Sequence, residues 1–126
     1  MIRLRRGCLF AVATVAVLTA TIVAAAAAGA FAVGACGAYG YAYDYKRLAD
    51  ARTAAEHKCS GKDCKVVGSL RRGCAALAID VKKPCGSYGW AINPHLGKAE
   101  NVSLRRCYQF GGHDCVVRAW ACDEKG

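Results

Sequence analysis

Two patterns of apolar and polar residues divide the chain. Residues 1–35 have three arginines in the first six positions and then run apolar, without a charged side chain, to their end. Beyond residue 35, apolar positions recur with short periods and are interrupted by charged residues and turns. The first pattern is typical of an export segment and the second of a folded domain. We therefore predict a signal peptide or N-terminal anchor over 1–35 and a single cysteine-rich domain over 36–126.

The first elements of the domain are predicted from a change of period. Tyrosines alternate with glycine, alanine and aspartate over residues 39–45, which is the period of a strand. Residues 46–58 have high helix propensity, and their small apolar side chains recur at helical spacing. β-Branched residues then indicate two further strands, over 64–70 and 75–81. The predicted order of this part is strand, helix, strand, strand.

This pattern occurs twice. The heptapeptide Cys36–Ala42 returns 49 residues later as Cys85–Ala91 with two substitutions, and the cysteines that follow each copy also align. We predict two degenerate β-α-β(-β) repeats, copy one over 36–81 and copy two over 85–122. Because the small residues of the repeated strand let an alanine-rich helix lie close, both helices should pack on one small mixed sheet. The expected fold class is α+β, stapled by disulfides.

The cysteine count predicts a disulfide framework. Eight of the nine cysteines follow residue 35, and an even number is typical of small exported domains. The spacing favours two local and two cross-copy pairs among these candidates: Cys59–Cys64, Cys107–Cys115, Cys36–Cys85 and Cys74–Cys122. The alternative is a zinc site that combines cysteines with His57 or His113, but neither histidine is repeated. We predict no metal and no cofactor.

The export segment allows three topologies. Small residues at A-x-A spacing near 28–35 fit cleavage of a signal peptide. The apolar run is also long enough for an uncleaved anchor, for which about 20 residues suffice. In addition, residues 33–36 resemble the lipobox of bacterial lipoproteins, with Cys36 as the lipidated residue. All three place the domain outside the cytoplasm, in the periplasm or secreted, and only the last two attach it to a membrane.

The repeated strand carries the candidate binding surface. Exposed tyrosine and tryptophan side chains stack on sugars and pack at protein interfaces. Six such residues belong to the two copies of this strand: Tyr39, Tyr41, Tyr43, Tyr45, Tyr88 and Trp90. The alternative interpretation is that this aromatic face is a half-buried part of the core.

The net charge of the domain limits the chemical classes of partner that it can be expected to bind. Three of the 18 basic residues lie in the export segment, and the remaining 15 exceed the nine acidic residues by six. A positive surface suits an anionic partner, and nucleic acid is excluded outside the cytoplasm. The partner is not identified by the sequence: a solvated surface with scattered charge is favoured, and envelope polysaccharide or another exported protein are the candidate partners.

Catalytic residues are not predicted. Nucleophilic catalysis needs a serine or cysteine beside an oriented base, whereas the cysteines are assigned to disulfides and the three histidines form no motif. Asp63 and Asp114 recur in Gly-x-Asp-Cys, which is ordinary turn chemistry. We predict a non-catalytic binding or envelope-associated module. The alternatives are a protease inhibitor with a loop at Lys82–Pro84 or a small extracytoplasmic enzyme.

Several of these motifs resemble one family. Tyr-Gly-Trp-Ala at Tyr88–Ala91, the repeated Gly-x-Asp-Cys and Val-x-Ala-Trp-x-Cys at Val117–Cys122 are similar to the bacterial domain-of-unknown-function family numbered 4189. The resemblance covers about residues 37–122. Members often have Trp-Gly where this chain has Tyr39–Gly40. The resemblance implies a small exported domain, and it supplies no catalytic or binding residues because the shared motifs are structural.

Overall fold

The computed structural model describes residues 27–123 and contains one element order twice, strand, strand, helix, strand. The elements are β1 Ala28–Val33, β2 Tyr39–Tyr45, α1 Leu48–Lys58, β3 Lys65–Ser69, β4 Gly73–Asp80, β5 Tyr88–Asn93, α2 Leu96–Gln109 and β6 Cys115–Asp123. We call residues 28–70 half one and residues 73–123 half two. Within residues 27–123, no helix is both long and apolar enough to cross a membrane.

The strands form two antiparallel sheets of three strands, in the orders β2-β1-β3 and β5-β4-β6. The α+β class is confirmed, but the strands do not join in the single mixed sheet that was expected. The reason is that β1 lies in the stretch assigned to export and β4 in the stretch assigned to copy one. Each is instead the central strand of its own sheet, so the halves differ from the predicted copies, 36–81 and 85–122.

The folded domain therefore starts earlier than the predicted boundary at Cys36. In β1, Ala30, Phe31 and Ala32 are fully buried and pair with strands on both sides. Cleavage within 28–35 would remove this central strand. The rest of the predicted export segment, residues 1–26, lies outside the described residues.

Apolar side chains on both faces of the central strands build four layers. Phe31 of β1 and Leu77 of β4 belong to one cluster between the two sheets. On the opposite face of β1, Ala30 packs with the α1 residues Ala51 and Ala55, and the opposite face of β4 contacts α2 in the same way. The order of layers is α1, first sheet, second sheet, α2.

Two glycines set the distance between each helix and its sheet. A Cβ atom on Gly40 would collide with the carbonyl oxygen of Ala55 and the backbone nitrogen of Cys59. A Cβ atom on Gly89 would collide in the same way with Ser103 and Cys107. The close helix packing that the small residues predict is thus present in both halves.

The disulfide framework is confirmed. Cys36 and Cys85 join the two halves, while Cys59–Cys64 and Cys107–Cys115 link each helix end to the strand that follows it. The fourth predicted pair, Cys74–Cys122, is also present and, because β4 belongs to half two, it links β4 and β6 inside that half. Since the sulfur of Cys36 is in a disulfide here, this structure does not match the lipobox interpretation.

Candidate functional site

The six predicted aromatic residues do not form one surface. Tyr39 and Trp90 are partly buried against the cluster between the sheets. Tyr41, Tyr43 and Tyr88 are exposed, by 36%, 51% and 47%. Tyr45 packs against the α1 side of the first sheet. Some of these aromatic residues are thus exposed, as a binding surface requires, and the others are partly buried in the core.

Backbone geometry explains why Tyr45 leaves the face of its neighbours. Asp44 has a φ of 61°, in the left-handed region, and the pairing of β1 with β2 is irregular between Ala28 and Ala30. Such an irregularity shifts the side-chain alternation of a strand. Tyr41 and Tyr43 keep the alternation and point to the same side, where their rings stack with 6.0 Å between centroids and 12° between planes.

A first groove runs between β2 and the end of β6, and we call it the tyrosine groove. It has a volume of about 510 Å³. Its aromatic walls are the Tyr41–Tyr43 stack and Trp120, which is 54% exposed. Asp44, which is exposed, and Asp123, which is buried, are among its other lining residues. Flat aromatic side chains can stack on the apolar face of a ring in a ligand. Oxygen atoms beside them can accept hydrogen bonds from hydroxyl groups of the same ligand.

A second groove lies between β5 and the end of α2, and we call it the arginine groove. Its volume is about 530 Å³, and its walls are Tyr88, Trp90, Arg106 and Phe110 with the backbone at residues 86–89. The guanidinium of Arg106 lies over the Trp90 ring, 5.6 Å from its centroid, and donates a hydrogen bond of 2.6 Å to the Trp90 carbonyl oxygen. Cation–π contact of this kind fixes the guanidinium in place.

A buried carboxylate secures the loop beside the arginine groove. Asp80 is 3% exposed, and its oxygens accept backbone hydrogen bonds from Lys82 at 2.9 Å and His113 at 3.0 Å. The hydrogen bond from the His113 N–H, joined by those from the Lys82 loop, lowers the pKa of Asp80 below its ordinary value. Asp114 forms an ion pair with Lys82 at 3.2 Å. These contacts hold the turns together.

Sequence reasoning missed the residues that complete both grooves. Trp120 and Asp123 close the tyrosine groove from the other half of the chain, and Arg106 and Phe110 form the arginine groove. In the sequence, Arg106 stands only as one of two adjacent arginines. Trp120 occupies an exposed position in the alternating pattern of β6, a signal that the sequence did contain. No sequence signal shows that β2 and β6 meet.

The histidines of the zinc alternative do not meet in a site. Among residues 27–123, no group of three or more histidine, cysteine, aspartate or glutamate side chains is placed to hold a metal ion. The cysteines that such a site would need are paired with one another.

Comparison with known proteins places this geometry in a family. A solved structure, the NMR structure of Rv1813c from Mycobacterium tuberculosis, is similar to this chain with a TM-score of 0.56 and 26% identity, over 98% of this chain and 97% of that one. No curated protein gives a significant match. The family described as "Domain of unknown function (DUF4189)" matches residues 28–122, which include β1 and every later strand and helix. The chain belongs to this family.

Proposed function

We propose that this protein is an exported, non-catalytic module that binds neutral polysaccharide of the cell envelope through the tyrosine groove. One observation carries the proposal: three large aromatic side chains, Tyr41, Tyr43 and Trp120, stand exposed around one groove. A folded domain gains stability by burying such rings, so their joint exposure favours a binding role.

Export is supported by the disulfides. Four disulfides in a small domain are typical of oxidising compartments, the periplasm or the extracellular medium. We place the end of the export segment before Ala28, since β1 has to remain in the domain. The equivalent order of elements in the two halves supports an origin by internal duplication.

The shape of the tyrosine groove favours a chain of sugars. The outer edge of β2 forms a further groove of about 510 Å³, lined by its four tyrosines and Lys58. Tyr41 and Tyr43 line both grooves. Their rings therefore form one continuous aromatic path, on which successive sugar rings can stack.

The two tryptophans allow a direct test, because each lies in a different groove. In a Trp90→Phe variant, Trp120 is the only tryptophan, so its fluorescence reports on the tyrosine groove. We expect titration with cellohexaose, xylohexaose or chitohexaose to change its emission in a saturable way for at least one sugar. Tyr43→Ala in the same background should weaken binding about tenfold, since one aromatic stacking contact contributes up to about 1.5 kcal/mol.

Phe110→Ala is the matched control, because Phe110 is 71% exposed and lines the other groove. It should leave sugar binding unchanged. The proposal fails if none of the three sugars changes the emission of Trp120, or if Phe110→Ala and Tyr43→Ala weaken binding equally.

The alternative of a protease inhibitor has weaker support. A segment that enters a protease cleft must lie extended, whereas the loop after β4 folds into successive turns, with hydrogen bonds from Lys83 N to Asp80 O and from Gly86 N to Lys83 O. Lys82 is also engaged by Asp114. Assays against serine, cysteine and metalloproteases at micromolar concentration test this alternative, and we expect no inhibition.

A further inference from the structure

We infer that the arginine groove is a second, separate site, which binds a single amphipathic anion: an acyl or aryl chain that ends in a carboxylate or phosphate. This inference does not depend on the polysaccharide proposal, because it rests on different residues. It follows from three features of the groove, namely a positioned cation, an exposed apolar wall and a volume that suits one small molecule.

The cation is Arg106. Its guanidinium is held by the Trp90 ring and by one hydrogen bond, from Nη1 to the Trp90 carbonyl oxygen. A guanidinium has five N–H donors, so donors remain for a ligand. Neither the ion pair Arg47–Asp50 nor the ion pair Lys82–Asp114 includes Arg106. Arginine in such a fixed position binds carboxylate and phosphate through paired hydrogen bonds.

The apolar wall is formed by Tyr88, Trp90 and Phe110. Phe110 is 71% exposed, yet its backbone is fixed: its N–H donates to the Arg106 carbonyl oxygen at 2.9 Å, and its carbonyl oxygen accepts a hydrogen bond of 2.7 Å from Ser87 Oγ. The exposed ring is therefore held beside Arg106 and is not at the end of a loose loop. A chain that covers these rings would remove apolar surface from water.

The charge around the groove favours an anion. Lys83 is exposed and stands three residues before Gly86, which lines the groove. The carboxylate of Asp80, at the base of the same loop, is occupied by backbone N–H groups. Electrostatic complementarity of this kind favours ligands of opposite charge.

The volume favours one molecule over a membrane surface. At about 530 Å³, the groove is within the usual range of small-molecule sites, about 300–1,000 Å³. The equivalent position to Arg106 in half one, one residue before the helix-terminal cysteine, is Lys58, which lines a groove of tyrosines. The combination of arginine, tryptophan and exposed phenylalanine is thus particular to half two.

A Trp120→Phe variant tests this site, because Trp90 is then the only tryptophan. Sodium decanoate and decyl phosphate, both below the concentration at which they form micelles, should change its emission saturably. Arg106→Gln should weaken binding of both anions by at least about tenfold, as expected for a charge-assisted hydrogen bond. It should leave the weaker binding of uncharged 1-decanol unchanged, so that the preference for the anion disappears.

Two further variants keep the test decisive. Arg105→Gln removes a neighbouring exposed cation that does not line the groove and should change binding less than twofold. Phe110→Ala, which removes an exposed ring and should leave folding intact, is expected to weaken the anions and 1-decanol alike. The inference is overturned if Arg105→Gln and Arg106→Gln act equally, if Phe110→Ala has no effect, or if Trp90 responds only to vesicles of anionic phospholipid and not to monomeric decanoate.

Discussion

The edge strands β2 and β5 have equivalent positions in the two halves, but their surroundings differ. Both strands alternate aromatic with small residues, and both pair with the central strand of their sheet. In each strand, a helix packs against a glycine at which a Cβ atom would collide with helix backbone. Their exposed aromatics nevertheless have different neighbours. Tyr41 and Tyr43 share a groove with Trp120, whereas Tyr88 and Trp90 share one with Arg106 and Phe110.

This difference separates the residues that determine the fold from those that determine binding. The glycines, alanines and cysteines that the halves share are mostly buried and position the strands and helices. The residues that distinguish the grooves lie at the ends of other elements, β6 and α2, which the scaffold leaves free to vary. The same frame can therefore present an aromatic groove on one side and a groove that contains an arginine on the other.

Removing the long-range disulfide inside half two should destabilise the protein more than removing the short disulfide of half one. Cys74–Cys122 closes a loop of 48 residues and contributes about 4 kcal/mol on the chain-entropy model. Cys59–Cys64, with a separation of 5, should contribute about 2 kcal/mol. Urea unfolding of the two double alanine variants, under non-reducing conditions, measures the difference. An equal or larger loss on removing Cys59–Cys64 would contradict the model.

Substitution of the two glycines against which the helices pack should have the next largest effect on stability. It also tests whether the two halves pack in the same way. Gly40→Ala and Gly89→Ala each force a methyl group into helix backbone, which should lower the free energy of unfolding by about 3 kcal/mol. Gly97→Ala is the control, because no atom lies within 4 Å of its added Cβ and alanine is the better helix former by about 1 kcal/mol. A small effect at only one of the two glycines would show that the halves pack differently.

The sequence predicts those parts of the fold that depend on the pattern of neighbouring residues. Alternation identified β2 and β5, and the pairing of the cysteines followed from their repeated spacing. α2 begins at Leu96, two residues after Pro94, and Asn93 Oδ1 accepts a hydrogen bond from the His95 N–H in the turn before it.

The parts that could not be predicted depend on long-range pairing. Residues 28–33 are alanine-rich and apolar, and in isolation they resemble the end of a signal peptide because burial on both faces removes the alternation of a strand. The grooves depend on which edges meet, so Trp120 could not be placed beside Tyr41 from spacing alone. The halves agree on local structure, and their contacts with each other determine the sites.

Asp80 should give the halves different responses to acid. The position after Ile79 is Asp80, whereas the equivalent position after Val33 is Gly34, which has no carboxylate. Because the pKa of Asp80 is lowered in the fold, mainly by the His113 N–H, its charge stabilises the protein above the ordinary aspartate pKa, about 4. This stabilisation is lost as pH falls through the lowered pKa.

We therefore expect Asp80→Asn to lower the melting temperature by several degrees at pH 7 and to lower it less at pH 2. Circular dichroism melts across this range measure the difference between the variant and the wild type. If the difference is the same at pH 7 and pH 2, the ionised carboxylate does not stabilise the loop.

The smallest effects are expected at the two aspartates of the repeated Gly-x-Asp-Cys. Asp63 has a φ of 58°, a conformation that asparagine also adopts readily, so Asp63→Asn should change stability by less than about 0.5 kcal/mol. Asp114→Asn removes an exposed ion pair with Lys82, which should cost less than about 1 kcal/mol and nothing in 1 M NaCl.

Urea unfolding at low and high salt distinguishes these two roles of one motif. Only the cost of Asp114→Asn should depend on salt, because only Asp114 acts through its charge. A cost well above 1 kcal/mol that persists in 1 M NaCl would mean that the Asp114 side chain holds the turn itself. The loop beside the arginine groove would then be fixed in the same way as its counterpart in half one, and the two halves would differ less than the ion pair indicates.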